Sequence, residues 1–244
     1  MSTTAILAVE GLTKAFGGLL AVNQISFDVH PGEILGLIGP NGSGKTTLLN
    51  LVSGALPATQ GRVRLRERIL TGLPPHRIAR AGVSRTFQLV RVLPSLSALE
   101  NVMVGAVFGP DAAWGAEAEA IAGALLERVG LGGRGHLLPG VMTYIDQKRI
   151  ELARALAADP QVLLLDEWLA GLNPTELQIG IALIESLHAE GRTILMVEHV
   201  MDAIRSLCDR CVVMNAGTKL TEGTPEQVLS NHDVIAAYLG DENA

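Results

Sequence analysis

Cysteines, aromatic residues and clustered basic residues are scarce in this sequence. Each shortage argues against one kind of site, surface or core. With two cysteines in 244 residues, a structural zinc site built from four cysteines is excluded. Basic residues form no block and the formal net charge is −6, which argues against a surface for nucleic acid. Aromatic residues make up 3% of the chain, so leucine, valine, isoleucine and alanine must fill the core.

Long apolar runs are also absent. No run approaches the roughly 20 residues that cross a bilayer as a helix. Residues 1–5 lack the basic segment that opens a secretory signal, so we expect a chain that stays in the cytosol. The length is near the upper size of a single core, and we predict that residues 1–244 form one domain with an inserted lobe.

The two cysteines, Cys208 and Cys211, have the CxxC spacing of redox and metal-binding motifs. A thioredoxin-type motif begins a helix, whereas Cys211 begins the strand-like run 211–214. We therefore interpret the pair as two small, mostly buried thiols.

The order of the sequence patterns indicates an α/β fold. Residues 6–30 resemble antiparallel strands, because glycines and an asparagine interrupt short β-rich runs. The runs 162–165 and 193–197 are almost wholly apolar, which is typical of strands in a buried, mostly parallel sheet.

A change of pattern predicts the inserted lobe. The strand signal disappears between residues 74 and 145, and the run 116–126 favours helix. We therefore predict a helical subdomain at 74–145, inserted into a core made of residues 1–73 and 146–244.

Residues 39–46 read GPNGSGKT, which fills the pattern GxxxxGK[ST] and follows the strand-like run 34–38. A strand that ends in glycines and then begins a helix directs backbone N–H groups at a polyphosphate. Lys45 would neutralise the β- and γ-phosphates, and Thr46 would bind Mg²⁺. The alternative is a glycine-rich turn that binds nothing. The residues predicted to bind nucleotide are Gly39, Pro40, Asn41, Gly42, Ser43, Gly44, Lys45, Thr46 and Thr47.

The run 162–165 is followed directly by two carboxylates, Asp166 and Glu167. Ligands bind at the carboxyl ends of parallel strands, where the phosphate loop (residues 39–46) would also lie. Asp166 can bind Mg²⁺ there, and Glu167 can accept a proton from the water that attacks the γ-phosphate. The alternative is a solvated acidic pair that merely ends a strand.

Two further signals follow this motif. Asn173, Pro174 and Glu176 have the positions of an N-cap, a first helical residue and a capping box, which predicts a helix from Pro174. His199 comes directly after the strand-like run 193–197, at the same predicted edge of the sheet.

In this order and spacing, the motifs resemble those of the ATP-binding subunits of ABC transporters over essentially the whole chain. The resemblance implies a P-loop NTPase core with an N-terminal antiparallel β-subdomain and an inserted α-helical subdomain. It also implies that Phe16 stacks on adenine, that Gln88 reaches Mg²⁺ and the attacking water, and that His199 is a switch histidine near the γ-phosphate. Residues 170–173 match the dimer-contact loop of the family.

Three segments are similar to one branch of that family. Residues 16–19, 85–88 and 99–105 resemble one of the two ATPase subunits of branched-chain amino-acid importers. The implied cargo is a hydrophobic amino acid, although related subunits serve urea and other amides.

The sequence departs from the family at its signature segment, residues 142–147, which reads MTYIDQ where this branch has LSYGDQ. The resemblance implies that Thr143, Tyr144, Ile145 and Asp146 contact the ATP of a partner subunit. Ile145 replaces a glycine, and a β-branched residue strongly disfavours positive φ. Trp168 replaces the usual proline. We therefore expect unequal ATP sites and a rise in turnover on Ile145→Gly.

The resemblance also implies partners. The implied cofactors are ATP and Mg²⁺. The implied protein partners are two transmembrane permease subunits, a second and different ATPase subunit, and indirectly a substrate-binding protein. The chain would lie at the cytoplasmic face of the membrane as a peripheral protein.

Three alternative functions stay open: a nucleotide-binding regulator with little turnover, a soluble ABC-type ATPase that acts on ribosomes or DNA, and a small-molecule kinase.

Overall fold

The computed structural model describes residues 4–240 as two β-sheets with surrounding helices. The strands are β1 (Leu7–Phe16), β2 (Leu19–Val29), β3 (Ile34–Ile38), β4 (Gln60–Leu65), β5 (Arg68–Ile69), β6 (Val83–Arg85), β7 (Val162–Asp166), β8 (Thr193–Val197), β9 (Arg210–Asn215) and β10 (Thr218–Gly223). The helices are α1 (Lys45–Val52), α2 (Pro75–Ala81), α3 (Ala98–Phe108), α4 (Ala116–Arg128), α5 (Tyr144–Leu156), α6 (Pro174–Ala189), α7 (Met201–Leu207), α8 (Pro225–Leu229) and α9 (His232–Gly240), with a 3₁₀ turn at Pro139–Val141. No helix within residues 4–240 is long and apolar enough to cross a membrane.

The smaller sheet is antiparallel and has the order β2-β1-β4-β5. β1 and β2 form a hairpin in which Leu7 pairs with Val29 and Phe16 pairs with Leu19. Gly17 occupies the turn at a φ of 58°, a conformation that glycine adopts without a steric cost. The predicted antiparallel strands in residues 6–30 are confirmed.

The larger sheet has the order β10-β9-β3-β8-β7-β6, and all its pairs are parallel except that of β10 with β9. Every residue of β3, β7 and β8 is buried, because α1 and the smaller sheet cover one face and α5, α6 and α7 cover the other. The loops that follow β3, β8, β7 and β6 leave from the same edge in consecutive positions. This topology brings together residues that are up to 160 positions apart in the sequence.

The predicted helical subdomain at 74–145 contains a strand that the sequence analysis missed. β6 pairs in parallel with β7, so Val83 lies opposite Val162 in the core sheet, and α2 leads directly into it. A three-residue strand carries no alternation signal, and its partner strand specifies it. The helices α3 and α4 do form a separate apolar cluster with α5, in which Val102, Leu126 and Ile150 are buried.

The CxxC cysteines lie inside the core. Cys208 and Cys211 are buried free thiols that pack on Gly36 of β3, where an added Cβ would lie 2.8 and 3.0 Å from their Sγ atoms. The interpretation of the pair as buried thiols is confirmed. Within residues 4–240, no group of three or more His, Cys, Asp or Glu residues is arranged to hold a metal ion.

Candidate nucleotide-binding and catalytic site

The phosphate loop packs so closely on its neighbours that two of its glycines have no room for a side chain. A Cβ on Gly39 would lie 2.1 Å from the carbonyl oxygen of Met214, and a Cβ on Gly44 would lie 2.4 Å from that of Ala21. Gly44 is also the N-cap of α1 at a φ of 103°, so no side chain caps the first N–H groups of this helix. These groups and the helix dipole are available to an anion.

The ammonium of Lys45 lies within the loop. It is buried and donates hydrogen bonds to the carbonyl oxygens of Gly39 at 2.7 Å and Pro40 at 2.8 Å. A cavity of about 300 Å³ opens beside it and reaches the side chains of Gln88 and Glu167. The phosphate loop and the predicted catalytic residues therefore share one cavity.

Gln88, Glu167 and His199 converge from three loops. Nε2 of Gln88 donates a hydrogen bond to Oε2 of Glu167 at 2.6 Å, and Nδ1 of His199 lies 4.0 Å from the same oxygen. The N–H of Glu167 donates to the carbonyl oxygen of Val197 at the end of β8, which connects two of these loops. The arrangement can accept a proton from a water in the cavity and orient that water.

Asp166 ends β7 and is buried in an ion pair. Its Oδ2 accepts a hydrogen bond from the Arg85 guanidinium at 2.7 Å, whereas its Oδ1 has no hydrogen-bond partner within residues 4–240. A second cavity, of about 230 Å³, is lined by Asp166, Thr46 and Gln88. A carboxylate oxygen without a partner, a hydroxyl and an amide oxygen are the ligands that a hard cation such as Mg²⁺ prefers.

Sequence analysis missed three charged side chains in this region. Arg85 holds Asp166, and it also donates to the side chains of Asn50 at 2.7 Å and Ser53 at 2.9 Å. Lys148 and Glu198 are almost wholly buried next to Glu167. Burial raises the pKa of Glu198 to about 7 and lowers the pKa of Lys148. The sequence around Lys148 carries no signal of this burial, since Gln147 and Arg149 flank it.

The signature segment divides into an exposed and a buried pair. Thr143 is the N-cap of α5, and Thr143 and Tyr144 are exposed at the start of this helix. Asp146 is buried, with Oδ2 2.8 Å from the Arg134 guanidinium. Burial alone would raise the pKa of Asp146, but hydrogen bonds from Arg134 and Thr143 outweigh it and hold the pKa below its usual value. The side chain of Asp146 therefore stabilises the start of α5, and its contact with a partner's ATP stays a prediction.

Ile145, which replaces the glycine of the family's signature, has an ordinary helical backbone. It is the second residue of α5, has no positive φ, and packs in the core cluster that contains Trp168 and Leu169. Trp168 is also fully buried, against Gly180 of α6. The steric cost of a positive φ therefore does not arise at Ile145, because the position is helical.

Because Ile145 is buried, Ile145→Gly is also expected to lose stability, while the expected rise in turnover of the assembled complex stays a prediction. Removing a buried isoleucine side chain should lower the free energy of unfolding by about 2–5 kcal/mol. Urea unfolding measures this change. A matched control is Ile179→Gly in the exposed part of α6, where helix propensity alone predicts a loss of about 1 kcal/mol. Equal losses in the two variants would contradict the buried position of Ile145.

Two remaining predictions concern the edges of the site. The capping box of Asn173 and Glu176 at the start of α6 is present as predicted, and Asn173 is the last residue of the segment 170–173. Phe16 is half exposed at the end of β1, with the Lys14 ammonium 5.0 Å from its ring centroid. Phe16 lines neither of the two cavities described above, so its contact with adenine stays a prediction.

Comparisons with known proteins agree with this geometry. Residues 22–170 match the family model of the ABC transporter, and residues 218–244 match that of the branched-chain amino acid ATP-binding cassette transporter. The chain is 43% identical to the high-affinity branched-chain amino acid transport ATP-binding protein LivG of Salmonella typhimurium, over 97% of this chain and 98% of that protein. It is equally identical, with the same coverage, to BraF of Pseudomonas aeruginosa, which has the same description.

Solved structures give the same result. The ADP conformation of MJ1267, an ATP-binding cassette of an ABC transporter, matches with a TM-score of 0.89 and 30% identity, over 98% of this chain and 100% of that one. A dimeric post-hydrolysis state of the cassette MJ0796 bound to ADP and Pi matches with a TM-score of 0.81 and 25% identity, over 90% of this chain and 98% of that one. The predicted P-loop NTPase fold is confirmed, and the chain belongs to the family of ATP-hydrolysing subunits of ABC transporters.

Proposed function

We propose that this chain hydrolyses ATP with Mg²⁺ to power the import of branched-chain amino acids across the cytoplasmic membrane. The observation that carries the catalytic part is the 2.6 Å hydrogen bond between Gln88 and Glu167, beside the cavity that Lys45 also lines. The cargo is supported by the descriptions of the relatives and by the family model that matches residues 218–244.

The phosphate loop would bind the triphosphate of ATP through its own N–H groups and the start of α1. Lys45 would exchange its bonds to the carbonyls of Gly39 and Pro40 for contacts with the β- and γ-phosphates. Phe16 would stack on the adenine. The remaining loop and helix residues proposed to contact nucleotide are Asn41, Gly42, Ser43, Gly44, Thr46 and Thr47.

Hydrolysis would proceed by in-line attack of a water on the γ-phosphorus. The bond from the γ-phosphorus to the β–γ bridging oxygen breaks, ADP leaves with that electron pair, and a proton of the water passes to Glu167. Gln88 would orient the water, since its amide is already fixed on Oε2 of Glu167. His199, which lies 4.0 Å from that oxygen, would contact the γ-phosphate.

Thr46, Gln88 and Asp166 would hold Mg²⁺. When bound, the ion would neutralise charge on the phosphate oxygens during transfer. Arg85 fixes the Oδ2 atom of Asp166, and Oδ1, which has no competing donor among residues 4–240, would bind the ion.

The proposed partners are two transmembrane permease subunits, a second ATPase subunit that differs from this chain, and indirectly a substrate-binding protein. In such a pair, Thr143 and Tyr144 would contact the ATP bound to the partner, since both are exposed at the start of α5. The chain would lie at the cytoplasmic face of the membrane. We further propose a core of residues 1–73 and 146–244, extended by β6, around a helical subdomain within 74–145.

Affinity purification of the full chain from detergent-solubilised native membranes tests this assembly. The expected result is co-purification of two multi-span membrane proteins and a second, distinct ATPase, identified by mass spectrometry. Recovery of two copies of this chain with the permeases would refute the heterodimer but keep the transporter. Recovery of soluble partners alone would refute the proposed transporter assembly.

A further inference from the structure

We propose that Lys148 is a positioning residue that holds the catalytic segment 167–170 in place from the signature helix α5. Lys148 lies one helical turn after Tyr144, so any movement of the exposed helix start would reach the carboxylate that acts on this chain's own nucleotide. The proposal rests on the proposed role of Glu167 as the proton acceptor, and it adds the residue that places this side chain.

All three N–H donors of the Lys148 ammonium bond to one backbone segment. Lys148 is 1% exposed and donates to the carbonyl oxygens of Glu167 at 3.3 Å, Trp168 at 2.8 Å and Ala170 at 2.9 Å. An ammonium has three N–H donors, so these three acceptors account for all of them. In return, Nε1 of Trp168 donates to the carbonyl oxygen of Lys148 at 3.2 Å. α5 and the segment 167–170 are therefore bonded in both directions.

The segment needs this support because its first residue has an unfavourable backbone conformation. Glu167 has a φ of 48°, in the left-handed region that residues other than glycine rarely adopt. Such a conformation persists only where surrounding contacts fix it, and such residues cluster at active sites. Here the N–H of Glu167 bonds to Val197, and its carbonyl accepts from Ala170 and from Lys148.

A second buried acid–base group, Glu198, also binds the segment. Oε1 of Glu198, directly after β8, accepts a hydrogen bond from the N–H of Leu169 at 2.8 Å. The acidic side chains that act on Lys148 electrostatically are Glu198, Glu151 and Glu167, and they partly offset the effect of burial on its pKa. Lys148 thus offsets the negative charge of Glu167 and Glu198, which directly follow β7 and β8, and of Glu151 on α5, while its N–H donors bind the turn. Removal of its charge should loosen the turn that orients Glu167.

The variant Lys148→Met keeps the length and the apolar part of the side chain and removes the ammonium. In the purified membrane complex, we expect kcat for ATP to fall about tenfold to a hundredfold with KM unchanged, because a small displacement of a catalytic group has an effect of this size. The matched control is Lys219→Met, which removes a surface lysine that also donates to a carbonyl and lies beside an acid. This control should keep the wild-type kcat.

The double variant Lys148→Met/Glu198→Gln separates positioning from stability, because it removes the acid that the single variant leaves without its cation. If positioning is correct, kcat stays low even where the thermal midpoint recovers, since the three carbonyls still lack their donor. Recovery of kcat together with the midpoint would overturn the proposal, as would a folded Lys148→Met complex with wild-type kcat. Glu167→Gln, measured in parallel, distinguishes failure of the Lys148 proposal from failure of the proposed function. Wild-type turnover in Glu167→Gln would refute Glu167 as the proton acceptor.

Discussion

Replacement of Glu167 by glutamine should lower ATP turnover by at least about 10²-fold and leave ATP bound, because glutamine keeps the shape of the side chain but cannot accept the proton. Glutamine can still pair with Gln88 by a hydrogen bond, so the local structure should survive. Phosphate release measures turnover, and equilibrium binding of a fluorescent nucleotide measures occupancy. The matched control is Glu119→Gln, an exposed position in α4 far from the two cavities in sequence.

Turnover and nucleotide binding should respond differently to Glu167→Gln. Low turnover with intact nucleotide binding assigns Glu167 to the chemical step. Turnover close to that of Glu119→Gln would show that another group accepts the proton, and the 2.6 Å contact of Glu167 with Gln88 would then be structural. Loss of binding would place Glu167 in ground-state recognition of ATP instead.

Replacement of Arg85 by methionine should lower the free energy of unfolding by about 3–5 kcal/mol, because it leaves the buried Asp166 carboxylate without its cation. Both side chains are almost wholly buried, at 6% and 2% exposure, and their atoms lie 2.7 Å apart. Without Arg85, the Asp166 side chain should be held less rigidly at the ion site. The affinity for Mg²⁺ should therefore also fall. Urea unfolding and the Mg²⁺ dependence of ATP turnover measure the two effects.

The exposed ion pair of Arg192 with Asp159 provides the control for this experiment. Its atoms are 2.6 Å apart, but Asp159 is 73% exposed, so Arg192→Met should cost about 0–1 kcal/mol. A similar small loss for Arg85→Met would mean that solvent reaches Asp166 and that the pair with Arg85 is not needed to hold it. A large loss with unchanged Mg²⁺ dependence would make Arg85 a stabilising residue alone.

Motifs with a mechanism of their own were predictable from sequence. The phosphate loop, the acidic pair that ends β7 and the capping box of α6 each need particular residue types at fixed spacing, and the structure places them as expected. Their convergence also followed, because parallel strands direct all their carboxyl ends to one edge of the sheet. The 2.6 Å bond from Gln88 to Glu167 connects two of these loops.

Features that depend on tertiary partners were not predictable. β6 is a strand only because β7 pairs with it, and three residues carry no periodicity of their own. The position of Ile145 also depends on the fold: its replacement of a glycine says nothing about burial, and the fold places it as a helical residue on the core side. Lys148 and Glu198 look like ordinary surface charges until the fold buries them side by side.

The most direct test of the account measures phosphate release by the purified membrane complex of this chain, with and without a branched-chain amino acid supplied on its binding protein. We expect release that requires Mg²⁺, rises when leucine, isoleucine or valine is supplied, and falls at least about 10²-fold in the Glu167→Gln variant. Release that does not change with any of these amino acids would contradict the proposed cargo. The absence of release from the wild-type complex would contradict the central claim that this site hydrolyses ATP to drive transport.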